Sequence, residues 1–271
     1  PLRRLYDVDH ADGGCVGAPP PGTALDDMVG TWGSNYLILA IGFAAAAAMA
    51  MNPRAARSYK IMAVNWFAWT GIGYGLAGYL HQVLREEAES ETDKAKALWA
   101  TSYDATVLSA LALNLIANQL LCRKCGPRLG PAFGKGLALV SCLLNGAIFL
   151  YNIIIGPSLM ITGMWSGIVA FYSAVIWAVD GAWSKTAAIL FMLSGFVVQV
   201  MLAPVCGSRG YSDCWADCPL PAPRFNHNFA FHMIFALGLA VLAVLMILRP
   251  DVTKKGEQAA KAEQDEQAAA V

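Results

Sequence analysis

The stretch FNHNFAFHMIFALGLAVLAVLMIL, Phe225–Leu248, decides what kind of protein this is. Beyond Phe229 its one polar side chain is His232, and the rest is Phe, Met, Ile, Leu, Val, Ala and Gly. A continuous apolar run of this kind matches the ~20 residues needed to cross a bilayer core and is too long for a barrel strand. In a bilayer the backbone must satisfy its own hydrogen bonds, so the run predicts a transmembrane helix. Six more runs repeat the pattern, over Val29–Met51, Ile61–Leu84, Leu98–Leu121, Ala132–Ile155, Leu159–Val179 and Thr186–Val205. The expected fold class is therefore an all-α, polytopic membrane protein with a bundle of seven transmembrane helices.

Composition agrees. Of 271 residues, 57% are hydrophobic and only 14% charged, against about a quarter charged in soluble domains, and the mean hydropathy is +0.48. The formal net charge is zero, so nothing points to nucleic acid as a partner. The chain divides into an N-terminal arm (1–28), the transmembrane domain (29–250) and a charged tail (251–271) of Ala, Gln, Glu and Lys without an apolar stripe. The stretches GFAAAAAMAM and GIGYGLAG read as surfaces for close helix contact.

Charge sets the expected orientation. The connections between spans one and two and between three and four carry Arg54, Arg57, Lys60, Arg123, Lys124 and Arg128 and no acid. The arm, with Asp7, Asp9, Asp12, Asp26 and Asp27, and the loop REEAESETDKAKA are net acidic. The positive-inside rule then places the N-terminus outside and the C-terminal tail in the cytosol. The membrane is a plasma or endomembrane. Cys15, Cys206, Cys214 and Cys218 all fall on the expected outer side, an even set available for disulfides in an oxidising compartment. Cys122 and Cys125, in CRKCG, read as inner-loop cysteines that are reduced or palmitoylated, and Cys142 as packing within a span.

An ionisable group inside a span is a functional hypothesis by default, since holding it there costs a few kcal/mol or more. His81 lies near the outer end of span two, Asp104 about two turns into span three, and His232 about two turns into span seven. Asn228 precedes His232 by four residues and shares its helix face, whereas a regular helix turns His227 elsewhere and only an irregular first turn would bring it inward. The plain reading of His81 is a wet helix end. Asp104 has no Lys or Arg at its depth, so a His or a metal is the expected partner. Asn114, Asn118, Asn145 and Asn152 read as interhelical hydrogen-bonding groups, and Trp165, Tyr172 and Trp177 as packing and interfacial anchors. No Lys falls within spans five to seven, which argues against a retinal Schiff base in the last helix.

A histidine late in span two, an Asp in span three and a polar-xxx-His opening to span seven resemble the superfamily of alkaline ceramidases and progestin and adiponectin receptors. That resemblance implies a zinc-dependent lipid-amide hydrolase with a site near the outer leaflet. It implies His81 and His232 as zinc ligands, Asn228 or His227 at the remaining ligand position, and Asp104 as the acid beside the zinc-bound water. It also implies pairing of Cys15 with a cysteine of the last outer loop. Where the family pattern has a Ser four residues before the first His, this chain has Ala77; where it has the first His of HxxxH, this chain has Asn228. The alternative expectation is a non-catalytic lipid-binding protein, or an accessory subunit of a larger membrane assembly, with membrane lipids and membrane proteins as partners.

Overall fold

The computed structural model describes residues 29–83, 92–202 and 227–253, with 256 and 258, and the side chains of all of these but 126–128 and 131. Within them lie seven helices: α1 (Val29–Ala50), α2 (Arg57–Val83), α3 (Asp93–Leu129), α4 (Pro131–Ile154), α5 (Leu159–Val179), α6 (Trp183–Leu202) and α7 (His227–Leu248). There is no β-sheet among the described residues, only an isolated bridge between Ala55 and Thr253. Six of the seven helices are long and apolar enough to cross a membrane, so the chain is an integral, multi-pass membrane protein. The remaining helix, α2, has 27 residues but is diluted by Arg57, Lys60, Asn65, glycines, His81 and Gln82. The N-terminal arm and the four cysteines expected on the outer side, Cys15, Cys206, Cys214 and Cys218, lie outside the described residues.

Helix ends follow local chemistry. Gly130 takes φ 76°, a left-handed conformation that ends α3, and Pro131 opens α4 at the position where a missing N–H does no harm. Ser158 caps α5, its hydroxyl accepting from the Ile161 N–H at 3.3 Å. Several boundaries depart from the apolar runs. At about 1.5 Å per residue, the 37 residues of α3 extend about 55 Å, well beyond a bilayer core of about 30 Å. The CRKCG stretch is therefore helical rather than a loop, and neither of its cysteines is in a disulfide. Cys142 is also free but faces outward on α4, not into packing. Helix α6 starts at Trp183, which brings Lys185 into its first turn, buried.

Six helices form a closed ring: α1 packs on α2 and α7, α2 on α3, α3 on α5, α5 on α6, and α6 on α7. The α1–α2 crossing is close because both partners are glycine. A Cβ on Gly42 would stand 2.7 Å from the Phe67 carbonyl oxygen and 2.9 Å from the Gly71 Cα. The ring interior is filled by Ile38, Phe67, Ile116, Trp177, Ile189 and Leu242.

Helix α4 packs on α3 outside that ring. Much of it is bare: Leu139, Leu143, Leu144, Leu150, Ile153 and Ile154 are exposed, as a lipid-facing helix requires. It is fastened by a ladder of polar side chains along one face. Asn118 of α3 donates to Ser141 (2.8 Å) and accepts from Tyr172 of α5 (2.8 Å). Trp165 of α5 donates to Asn145 (2.8 Å), and Asn152 donates to Asp104 of α3 (3.1 Å) and Thr162 of α5 (3.2 Å). Asn118, Asn145 and Asn152 thus serve as interhelical hydrogen-bonding groups, and Trp165 and Tyr172 are donors in the same ladder.

The bundle is shut at the end that carries Arg54, Arg123 and Arg249 by the chain that leaves α7. Asp251 is buried beneath the helices and paired with Lys185 at 2.5 Å, both side chains 5% exposed. Its other carboxylate oxygen accepts from the Tyr59 hydroxyl of α2 (3.0 Å) and the Trp177 indole N–H of α5 (3.1 Å). Arg123 of α3 donates to its backbone oxygen at 2.6 Å, and Lys185 also donates to the Arg249 carbonyl at 2.7 Å. Ala56 N–H donates to the Val252 carbonyl (2.8 Å), so the strap lies against the α1–α2 turn as well. Residue 251 therefore opens a packed part of the bundle, not a solvated tail.

Candidate functional site

His81, His227 and His232, the three histidines among the described residues, gather at the opposite end, where α1, α2 and α7 meet. His232 is 7% exposed and His227 3%. His81 and His227 are the ionisable groups near enough to act electrostatically on the His232 ring. His227, the first residue of α7, is thus turned inward rather than elsewhere. Tyr74 of α2 meets the His232 ring edge-on at a centroid distance of 5.7 Å, and His81 stands edge-on to Trp99 of α3 at 5.5 Å.

Helix α1 supplies the polar support. Ser34 Oγ lies 3.1 Å from His232 Nδ1 and donates its single proton to the Thr31 carbonyl at 2.8 Å. The His232 ring also bonds the Thr31 backbone; an imidazole N–H donates to that carbonyl, and the other nitrogen of the neutral ring is an acceptor. Asn35, fully buried, donates to the Thr31 carbonyl at 3.0 Å, and its Oδ1 has no hydrogen-bond partner among the described residues. These three residues were not among the sequence candidates. Their signal is present, since Thr31, Ser34 and Asn35 occupy one face of an otherwise apolar helix at positions i, i+3 and i+4.

Two sequence candidates stand elsewhere. Asp104 faces away from α7, its carboxylate hydrogen-bonded to Asn152 in the α3–α4–α5 ladder. The expected His or metal partner is replaced by an amide, which satisfies a carboxyl oxygen without a counter-charge. Asn228 shares a face with His232 in sequence, but its Oδ1 accepts from Gln199 of α6 at 2.5 Å while His232 turns to α1. Among the described residues, no three His, Cys, Asp or Glu side chains stand close enough together to hold one metal ion. The candidates therefore stand with separate partners: Asp104 with Asn152, Asn228 with Gln199, and His232 with Ser34.

Comparison with known proteins adds no family: no family model, no curated protein and no solved structure matches this chain.

Proposed function

We propose that the chain is a seven-span membrane protein that binds the polar head of a neutral lipid at its histidine end, on the outer side, without hydrolysing it. Helix α2 is read as the seventh span because it packs between α1 and α3, both apolar enough to cross the membrane. The basic residues at the other end carry the orientation, N-terminus outside and C-terminus in the cytosol.

The observation that carries the reading is the acceptor-rich cluster on α1 and α7. Asn35 Oδ1 is buried with no donor among the described residues, beside the Ser34 hydroxyl that lies 3.1 Å from His232 Nδ1. A buried acceptor without a donor costs about 1–3 kcal/mol, so a ligand that brings O–H or N–H groups binds with a gain. Lipids with hydroxyl and amide N–H groups in the head, of the ceramide kind, have that chemistry.

A second reading is favoured by the closeness of His81 and His227 to His232. It is a zinc-dependent lipid-amide hydrolase whose ligands converge only when metal and substrate bind. One experiment separates the two. The full chain, reconstituted in phosphatidylcholine nanodiscs, is given a photoreactive ceramide or its O- and N-methylated analogue, and zinc content and fatty-acid release are measured together. The binding reading expects labelling by ceramide over the analogue, reduced about tenfold in Asn35→Leu, equivalent to about 1.4 kcal/mol, with no fatty acid released. Equal labelling by both lipids refutes it. About one zinc per chain, lost in His81→Ala and His232→Ala, with fatty acid released, establishes the hydrolase. Stoichiometric co-purifying subunits without lipid labelling would establish the accessory role.

A further inference from the structure

At the arginine end, outside the histidine cluster and independent of it, an open cavity of about 250 Å³ is lined by Leu120, Arg123 and Lys124 of α3, by Asp180 at the end of α5, and by Asp251. Its two cations are held by neutral acceptors. Arg123 donates to the Asp251 backbone oxygen, and Lys124 donates to the Val179 carbonyl in the last turn of α5. Neither forms an ion pair among the described residues; the one between described side chains here is Lys185 with Asp251. The Asp251 carboxylate is thereby neutralised from behind, and its remaining oxygen is taken by Tyr59 and Trp177.

The charge balance at the cavity follows. Among the described residues two cations face it against one uncompensated acid, Asp180. Arg123 spends one of its five N–H donors on the backbone and Lys124 one of its three, so both keep directed donors and full charge for a ligand. The Asp251 strap and the α5 carbonyl hold these long side chains in place, so the ordering entropy of capturing an anion is already spent in part. Leu120 gives the cavity an apolar wall where α3 enters the membrane. A polyanionic ligand would be repelled by Asp180, whereas a single phosphate with a hydroxyl alongside fits, its hydroxyl donating to that carboxylate.

We propose that this cavity binds one phosphate group, with Arg123 and Lys124 as its two arms and Asp180 accepting from a neighbouring hydroxyl. The sources of that chemistry are an anionic phospholipid headgroup of the facing leaflet and free phosphate.

The test uses the full chain, delipidated in neutral detergent, with native mass spectrometry counting bound phosphatidylglycerol against phosphatidylcholine, and inorganic phosphate as competitor. Arg123→Gln with Lys124→Gln keeps N–H donors for the two backbone carbonyls and removes both charges. Lys135→Gln, an exposed lysine at the start of α4, removes a charge at the same end away from the cavity. Wild type and Lys135→Gln are expected to retain one phosphatidylglycerol per chain, and the double variant to lose it by about tenfold or more, with unchanged thermal melting. Displacement by millimolar inorganic phosphate identifies free phosphate as the ligand; resistance to it identifies the lipid. Equal retention in the double variant, or an equal loss in Lys135→Gln, overturns the proposal, the latter by reducing it to general surface charge.

Discussion

Asp251→Asn asks the sharpest question of this structure. The substitution keeps the shape and one acceptor oxygen but removes the charge facing Lys185, whose ammonium lies 2.5 Å away and whose side chain is 5% exposed. The Arg249 carbonyl at 2.7 Å still holds Lys185, but a carbonyl does not balance a buried cation. Removing one partner of a buried pair costs about 3–5 kcal/mol, because the other charge stays behind uncompensated. For a domain of this size that corresponds to a fall in melting temperature of roughly 6–20 °C. Thermal melting of the detergent-solubilised full chain measures it, beside Lys185→Met and the double variant. The two single losses should exceed the double loss by about 2 kcal/mol, since the double variant buries no lone charge. The loss should also persist at about 1 M salt, where exposed pairs are screened and buried ones are not. Asp251→Asn melting within about 2 °C of wild type, or a difference abolished by salt, would show that the strap is a surface contact and that the reasoning fails.

Three further outcomes are expected. Gly42→Ala places a methyl 2.7 Å from the Phe67 carbonyl oxygen and should destabilise by about 1–3 kcal/mol; Gly146→Ala on lipid-facing α4, with nothing within 4 Å, should be neutral or stabilising by up to about 1 kcal/mol in the same melts. Asp104→Asn keeps an oxygen to accept from Asn152 and should change stability by less than about 1 kcal/mol, whereas Asp104→Leu takes one acceptor from Asn152 and should lose about 1–3 kcal/mol; the reverse order would contradict the ladder. Ser34→Ala removes the hydroxyl 3.1 Å from His232 Nδ1 and should lose about 1–3 kcal/mol while changing the ring tautomer balance seen in its ¹⁵N spectrum, and an unchanged spectrum would show that Ser34 does not orient the ring.

The histidine end was half legible. Burying an imidazole in an apolar run is costly anywhere, so His81 and His232 stand out in the linear chain, and the structure sets them near each other. The role of Asp104 was not legible. Whether a carboxylate on α3 turns to α7 or to α4 depends on helix rotation, and the partner that holds it, Asn152, lies 48 residues away. The direction of His227 stayed open in the sequence for a local reason: a residue at the first turn of a helix takes its direction from tertiary contacts as much as from helical periodicity. Lys185 was missed because hydropathy ends a span at the first charge, while the helix begins two residues earlier and its buried counter-ion lies beyond α7.

By itself the sequence determined that this is a multi-pass helical membrane protein, and which residues face a cost in being there. A bilayer demands unbroken apolar length and internal hydrogen bonding, both properties of contiguous chain. Only the tertiary structure decided the partners: Ser34 for His232, Asn152 for Asp104, Lys185 for Asp251. Each joins segments distant in sequence, and a buried polar group pairs with whichever complementary atom packing brings within about 3 Å, a choice no local pattern encodes.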